Sequence, residues 1–148
     1  MQQNNREIAY AFLRITFGVM LFSYGFNKLA GGPAAFVSGM RERFADSLPE
    51  SLVTVFAWTL PFAELLFGAL LVLGLFTPIA LLGTAALMLV LVFGAVMEPS
   101  PPIVANNMLF SVVVFVLIWL LEANRFSLDA WLDRNDSATV GFLSRKGK

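Results

Sequence analysis

Histidine and cysteine are both absent from this chain of 148 residues. Without them there are no Cys/His zinc sites, thiolate-held iron–sulfur clusters or haem on a proximal histidine. Ser-His and Cys-His nucleophile pairs, disulfides and thiol redox chemistry are excluded as well. The missing cysteine does not point to any one redox compartment. Charge is scarce too, at 14%, against roughly 25% in soluble chains. Ten basic residues balance ten acidic ones, so no net positive field attracts nucleic acid. Any chemistry must rest on carboxylates, Lys, Arg, Tyr, amides, backbone or a borrowed cofactor.

Apolar residues fill the space that charge leaves. They make up 58% of the chain, against about 45–50% in soluble domains. Hydropathy divides them into four runs, about 8–29, 52–76, 78–97 and 103–121. Each is long enough at 1.5 Å per residue to cross about 30 Å of hydrocarbon. Backbone groups in lipid must be satisfied internally, so the runs read as helices. The expected fold is all-α, a single transmembrane domain built as a four-helix bundle. The first run is too long for a signal h-region, carries Arg14 and lacks an A-x-A site, so it reads as an uncleaved span.

Four spans place both termini on one side. That side collects Arg6, Arg125, Arg134, Arg145, Lys146 and Lys148, while the other has Lys28, Arg41 and Arg43. The positive-inside rule then puts both termini in the cytoplasm. Tyr10 and Trp119 fall near the inner interface, Tyr24 and Trp58 near the outer one, as belt aromatics do.

The first outer loop is too long for a simple link. Phe36, Val37, Met40, Phe44 and Leu48 recur at helical spacing, with Arg41, Glu42, Arg43 and Asp46 between them. This predicts an amphipathic helix over about 34–48, entered at Gly31-Gly32-Pro33 and ended by Pro49. Two readings stay open for it, a surface helix or a lid over an outward cavity. The second outer loop, Glu98-Pro99-Ser100-Pro101-Pro102, reads as a stiff spacer. In the tail, Ser127 is placed to cap a short interfacial helix over about 127–133, with Leu128, Trp131 and Leu132 on one face. A basic, flexible end follows at Ser144–Lys148.

Two ionisable residues, Arg14 and Glu64, lie well inside the spans. Charge at that depth costs about 2.5–3.5 kcal/mol on insertion scales. A buried Arg14–Glu64 pair, direct or through water, is the first expectation. Side-chain direction opposes it, because each side chain leans toward its own helix N-terminus and the two lean apart. Such a pair serves either to hold helices together or to line a polar pocket for a quinone, a small acid or a lipid headgroup. Candidate ligand-binding residues are Arg14, Glu64, Lys28, Tyr24, Trp58 and Asn107. Gly18, Gly25, Gly68 and Gly74 are expected to let helices pack closely. Pro61, near Glu64, is expected to bend its helix. Phosphate-binding and dinucleotide-binding glycine motifs, metal-binding helix pairs and fixed-period repeats are absent.

Three blocks in order resemble the DoxX family. They are Arg14-x-x-x-Gly18…Gly25-x-x-Lys28-Leu29, then Glu64-Leu-Leu-Phe-Gly68 through Gly74-Leu-Phe-Thr77-Pro78, then Arg125-Phe126-Ser127-Leu128-Asp129. Asn124 stands where the family commonly has glycine, and Glu122 interrupts the usual Gly-Pro stretch. The resemblance spans about residues 8–133 and carries Arg14, Gly25, Lys28, Glu64, Gly68, Ser127 and Asp129 over as motif residues. It implies a small bacterial inner-membrane protein of four helices. Relatives include membrane subunits of a thiosulfate:quinone oxidoreductase. The leading functional expectation is therefore an accessory or anchoring subunit of a quinone-linked redox system. Its partners would be membrane lipids, a soluble or membrane redox protein, and further copies of itself, with no nucleic acid. Quinone is the expected cofactor and no metal is. A small-molecule or lipid transporter and a ligand-free scaffold are the alternatives.

Overall fold

The computed structural model describes residues 2–98 and 100–134. Pro99 of the second outer loop and the basic end Ser144–Lys148 therefore lie outside the described residues. Five α-helices follow one another: α1 (Gln2–Ala30), α2 (Pro33–Arg43), α3 (Glu50–Leu73), α4 (Thr77–Met97) and α5 (Pro101–Trp119). A 3-10 turn, Leu121–Ala123, and a helical stretch over 128–134 complete the described chain. Among the described residues, α1, α3, α4 and α5 are the helices long and apolar enough to cross a membrane. They match the four expected runs.

The boundaries differ from the hydropathy runs for local reasons. Helix α1 has 29 residues, about 43 Å of rise, so its polar first turns extend beyond about 30 Å of hydrocarbon. Helix α3 stops at Leu73 instead of continuing to 76. Gly74 there turns left-handed (φ 65°, ψ 43°). The Leu75 N–H closes back on the Leu70 carbonyl at 3.0 Å and the Gly74 N–H on that of Leu71 at 3.3 Å, a Schellman ending. Helix α2 ends at Arg43, short of the expected 48. The Ser47 and Leu48 N–H groups fold onto the Phe44 carbonyl, both at 3.1 Å, and Pro49 holds Leu48 out of helical geometry.

Glycine sets the main seam. A methyl at Gly18 would lie 2.9 Å from the Val72 nitrogen, one at Gly25 would lie 2.6 Å from the Pro61 carbonyl oxygen, and one at Gly68 would lie 2.7 Å from the Phe22 Cα. The α1 and α3 backbones thus come together where no side chain fits, as small-residue packing in membranes requires. Helix α5 packs chiefly on α4, and α2 lies across α3 at the end away from the termini. Phe17, Leu21, Leu71, Leu81 and Leu117 form part of the core. Large apolar side chains such as Phe12, Leu89 and Phe115 cover the outside, as a lipid-facing surface demands.

Tyr10 departs from the expected aromatic belt. It is 2% exposed and belongs to the core. One helical turn before Arg14, it shares the α1 face that turns into the bundle. Trp119, by contrast, lies on the outside.

Candidate functional site

The two intramembrane charges do not pair with each other. The glycine seam fixes the register: Gly25 lies against Pro61 and Glu64, Gly18 against Gly68 and Val72. In this antiparallel alignment Arg14 reaches the C-terminal end of α3, about two turns beyond Glu64. Glu64 instead accepts from Lys28, whose Nζ lies 2.5 Å from Oε1 and 2.6 Å from Oε2. The directional rule that separates Arg14 from Glu64 brings Lys28 to it. Lys28 sits one turn past Gly25, and because α1 and α3 are antiparallel, its lean and that of Glu64 toward their own N-termini bring them together. The sequence reading has Lys28 at the outer end of the first run and among the ligand-binding candidates, but pairs Glu64 with Arg14. Its distance from Gly25, a backbone contact, was the signal that would have found the pair.

Arg14 anchors the end of the bundle that carries the termini. It is 1% exposed. Its Nη1 donates to the Leu71 carbonyl at 2.5 Å and its Nη2 to the Phe126 carbonyl at 2.7 Å. The Leu71 carbonyl is among those a helix end leaves open, where a cation is also favoured. Around it, the segment after α5 forms a strap. Asp129 accepts from the Phe76 and Thr77 N–H groups, each at 2.8 Å, so its carboxylate caps the positive end of α4. Its own N–H donates to the Gly74 carbonyl at 3.0 Å. Ser127 caps the following stretch through the Ala130 N–H at 3.2 Å, as expected, and Asn124 donates to the Thr77 hydroxyl at 3.0 Å. Gly74, expected to serve helix packing, serves this junction instead. It supplies the left-handed residue, and a methyl on it would run into the Arg14 guanidinium and Ser127. Tyr10 Oη and Arg14 Nε are buried beside this junction without a hydrogen-bond partner among the described residues.

The Lys28–Glu64 pair lines a cavity of ≈ 380 Å³ at the opposite end, under α2. Tyr24, Phe36, Met40, Phe110 and Asn107 contribute to its walls. The volume falls within the range of small-molecule sites, about 300–1,000 Å³. Lys28 Nζ lies 5.8 Å from the Tyr24 ring centroid and 5.6 Å from that of Phe36, within cation–π reach. Glu64 is almost wholly buried, whereas Lys28 keeps 23% of its side chain exposed. Lys28 has three N–H donors, and the two bonds to Glu64 leave one for another acceptor. Asn107 is held across the helices by donating to the Leu91 carbonyl at 3.3 Å. At the far edge an Arg43–Glu98 ion pair ties the end of α2 to the end of α4. Both residues are part of the cavity wall, and α2 covers the cavity.

Of the sequence candidates, Lys28, Glu64, Tyr24 and Asn107 come together here. Arg14 and Trp58 do not line this cavity. Trp58 is 43% exposed and lies six residues from Glu64, about 240° around the helix. Arg14 is absorbed by the strap.

Four apolar spans joined through a glycine seam, with a buried ion pair between the first two, define an integral membrane helical bundle. A family model described as DoxX matches residues 9–97. The chain belongs to the DoxX family. That match takes in Arg14, Lys28, Glu64 and Gly74 and ends before the Arg125–Asp129 strap. No curated protein and no solved structure matches the chain.

Proposed function

We propose that this DoxX-family protein is an accessory subunit of a quinone-linked redox system in the bacterial inner membrane, with both termini in the cytoplasm. The observation that carries this reading is the Lys28–Glu64 pair, set in the wall of a largely apolar cavity. A quinone head is a flat apolar ring with two carbonyl acceptors, and the cavity offers that chemistry. Aromatic side chains flank the ring, the spare Lys28 N–H donates to one carbonyl, and Glu64 holds a proton for exchange with the head. Electrons come from a redox partner protein, since this chain has no histidine or cysteine to hold a haem or an iron–sulfur cluster. Exposed Glu122, Arg125 and Arg134 at the strap end offer such a partner a charged surface. The excess of Lys and Arg on the side of the termini supports the orientation.

Native mass spectrometry on protein extracted gently from its own membrane tests the reading. A quinone-sized adduct is expected in the wild type and is expected to disappear in Lys28→Met and Glu64→Gln. Folded variants that keep the adduct would remove these residues from the site. A wild type without any adduct would favour the scaffold role, in which the pair only joins α1 to α3.

A further inference from the structure

A second hollow adjoins the Lys28–Glu64 cavity. It is an apolar groove of ≈ 610 Å³ between α2, α3 and α4, walled by Leu48, Leu52, Val55, Thr59 and Phe93 among others. Among the described residues, none that lines it is charged. Val55 is 65% and Phe93 54% exposed, and both lie on membrane-spanning helices, so the groove opens sideways toward the acyl chains. Met40, Phe44, Phe56, Val90 and Gly94 belong to the walls of both hollows. At this threshold a Cβ on Gly94 would have only the tip of Phe44 within reach, at 3.7 Å. The partition between the hollows therefore consists of movable side-chain ends and is not sealed by backbone. The edge at the helix ends is different, because α2 and its Arg43–Glu98 tie to α4 close it.

We propose that the groove holds the hydrocarbon tail of an amphiphile whose head sits at Lys28–Glu64, and that the ligand enters laterally from the bilayer past Phe44 and Gly94. Continuity of the two walls identifies the occupant. A polar head cannot pass the uncharged groove favourably without returning to a polar partner, and the cavity supplies one. The uncharged groove next to the cavity gives the tail a place away from the ion pair. The ligand class is thus a single-headed, hydrogen-bond-accepting ring or carbonyl carrying an alkyl or prenyl chain. This inference rests on the quinone reading for its head group and adds the tail site and the direction of access.

The experiment uses the full chain in lipid nanodiscs and two probes, a decyl-substituted benzoquinone and the same benzoquinone without its tail. Thr59→Trp and Val55→Trp fill the groove from exposed positions on α3. Thr59 is exposed and, among the described residues, bonds to carbonyls of its own helix, so its loss breaks no bond between helices there. Both variants are expected to weaken binding of the tailed probe at least tenfold and to change binding of the tail-less probe less than threefold. Equal effects on the two probes, or none on the tailed one in either folded variant, would overturn the tail site while leaving the head site standing. Failure of both probes to bind wild type would overturn the head-group reading and this inference with it.

Discussion

Removing Lys28 while keeping Glu64 is the sharpest perturbation of this structure. In Lys28→Met the stem is replaced at similar length, but the Glu64 carboxylate loses both of its bonds, 2.5 and 2.6 Å long. Breaking a buried pair from one side typically costs about 3–5 kcal/mol. The lower end applies here, about 3 kcal/mol, because Lys28 is 23% exposed and a polar cavity edge lets water approach. That is about a hundredfold in the folded-to-unfolded ratio. Glu64→Gln should cost less, about 1 kcal/mol, since Lys28 then extends toward the interface and keeps its aromatic neighbours. The double variant Lys28→Met with Glu64→Leu removes both charges and should recover to within about 1 kcal/mol of wild type. Unfolding in mixed micelles, titrated with a denaturing detergent, reads all three. The expected order is therefore single lysine loss, single glutamate loss, double variant. A double variant no more stable than Lys28→Met alone would refute the reasoning, because it would mean that the unpaired Glu64 charge is not what destabilises that variant. A stable double variant that no longer retains a quinone would show that the pair serves binding and that packing does not need it.

Other positions give equally direct expectations. Gly25→Ala places a methyl 2.6 Å from the Pro61 carbonyl oxygen, an overpacking that should cost about 1–3 kcal/mol and appear as a lower melting temperature in detergent. Gly74→Ala combines a left-handed backbone with collision against Arg14; the backbone alone costs about 1–2 kcal/mol, and the variant should melt lower still. Asp129→Ala leaves the Phe76 and Thr77 N–H groups without their acceptor, a loss of about 1–3 kcal/mol that limited proteolysis should detect as earlier cleavage in the strap. An unchanged cleavage pattern would mean that the strap holds through Arg14 alone.

The four spans were legible because lipid imposes long apolar runs, and the glycines of the seam were legible because only small residues permit backbone contact. Gly74 was misjudged for the same reason. Composition marks a small residue, but only the backbone angle separates a helix seam from a helix end. The site was legible in its residue types and not in its pairing. Arg14 and Glu64 stand out because they interrupt apolar runs, whereas Lys28 sits at a run's outer edge, where a cation needs no buried partner. Which cation reaches Glu64 depends on the register of α1 against α3, and Gly25 sets that register through a contact 36 residues or more along the chain. The Asp129 cap on α4 was beyond reach for a similar reason. Its motif was visible, but nothing local in Ser127–Asp129 tells which helix end it will meet.

The strap also sets a schedule for biosynthesis. Arg14 leaves the ribosome early, and the Phe126 carbonyl it binds follows 112 residues later. At about 5–20 residues per second, that is an interval on the order of 6–20 s. For the later part of that time the guanidinium has the Leu71 carbonyl, made 57 residues after it, but not yet that of Phe126. A chain arrested before residue 126 would lack one of the two carbonyl acceptors of that guanidinium indefinitely. A bundle that has reached residue 126 therefore differs from any shorter one in how fully this single side chain is paired.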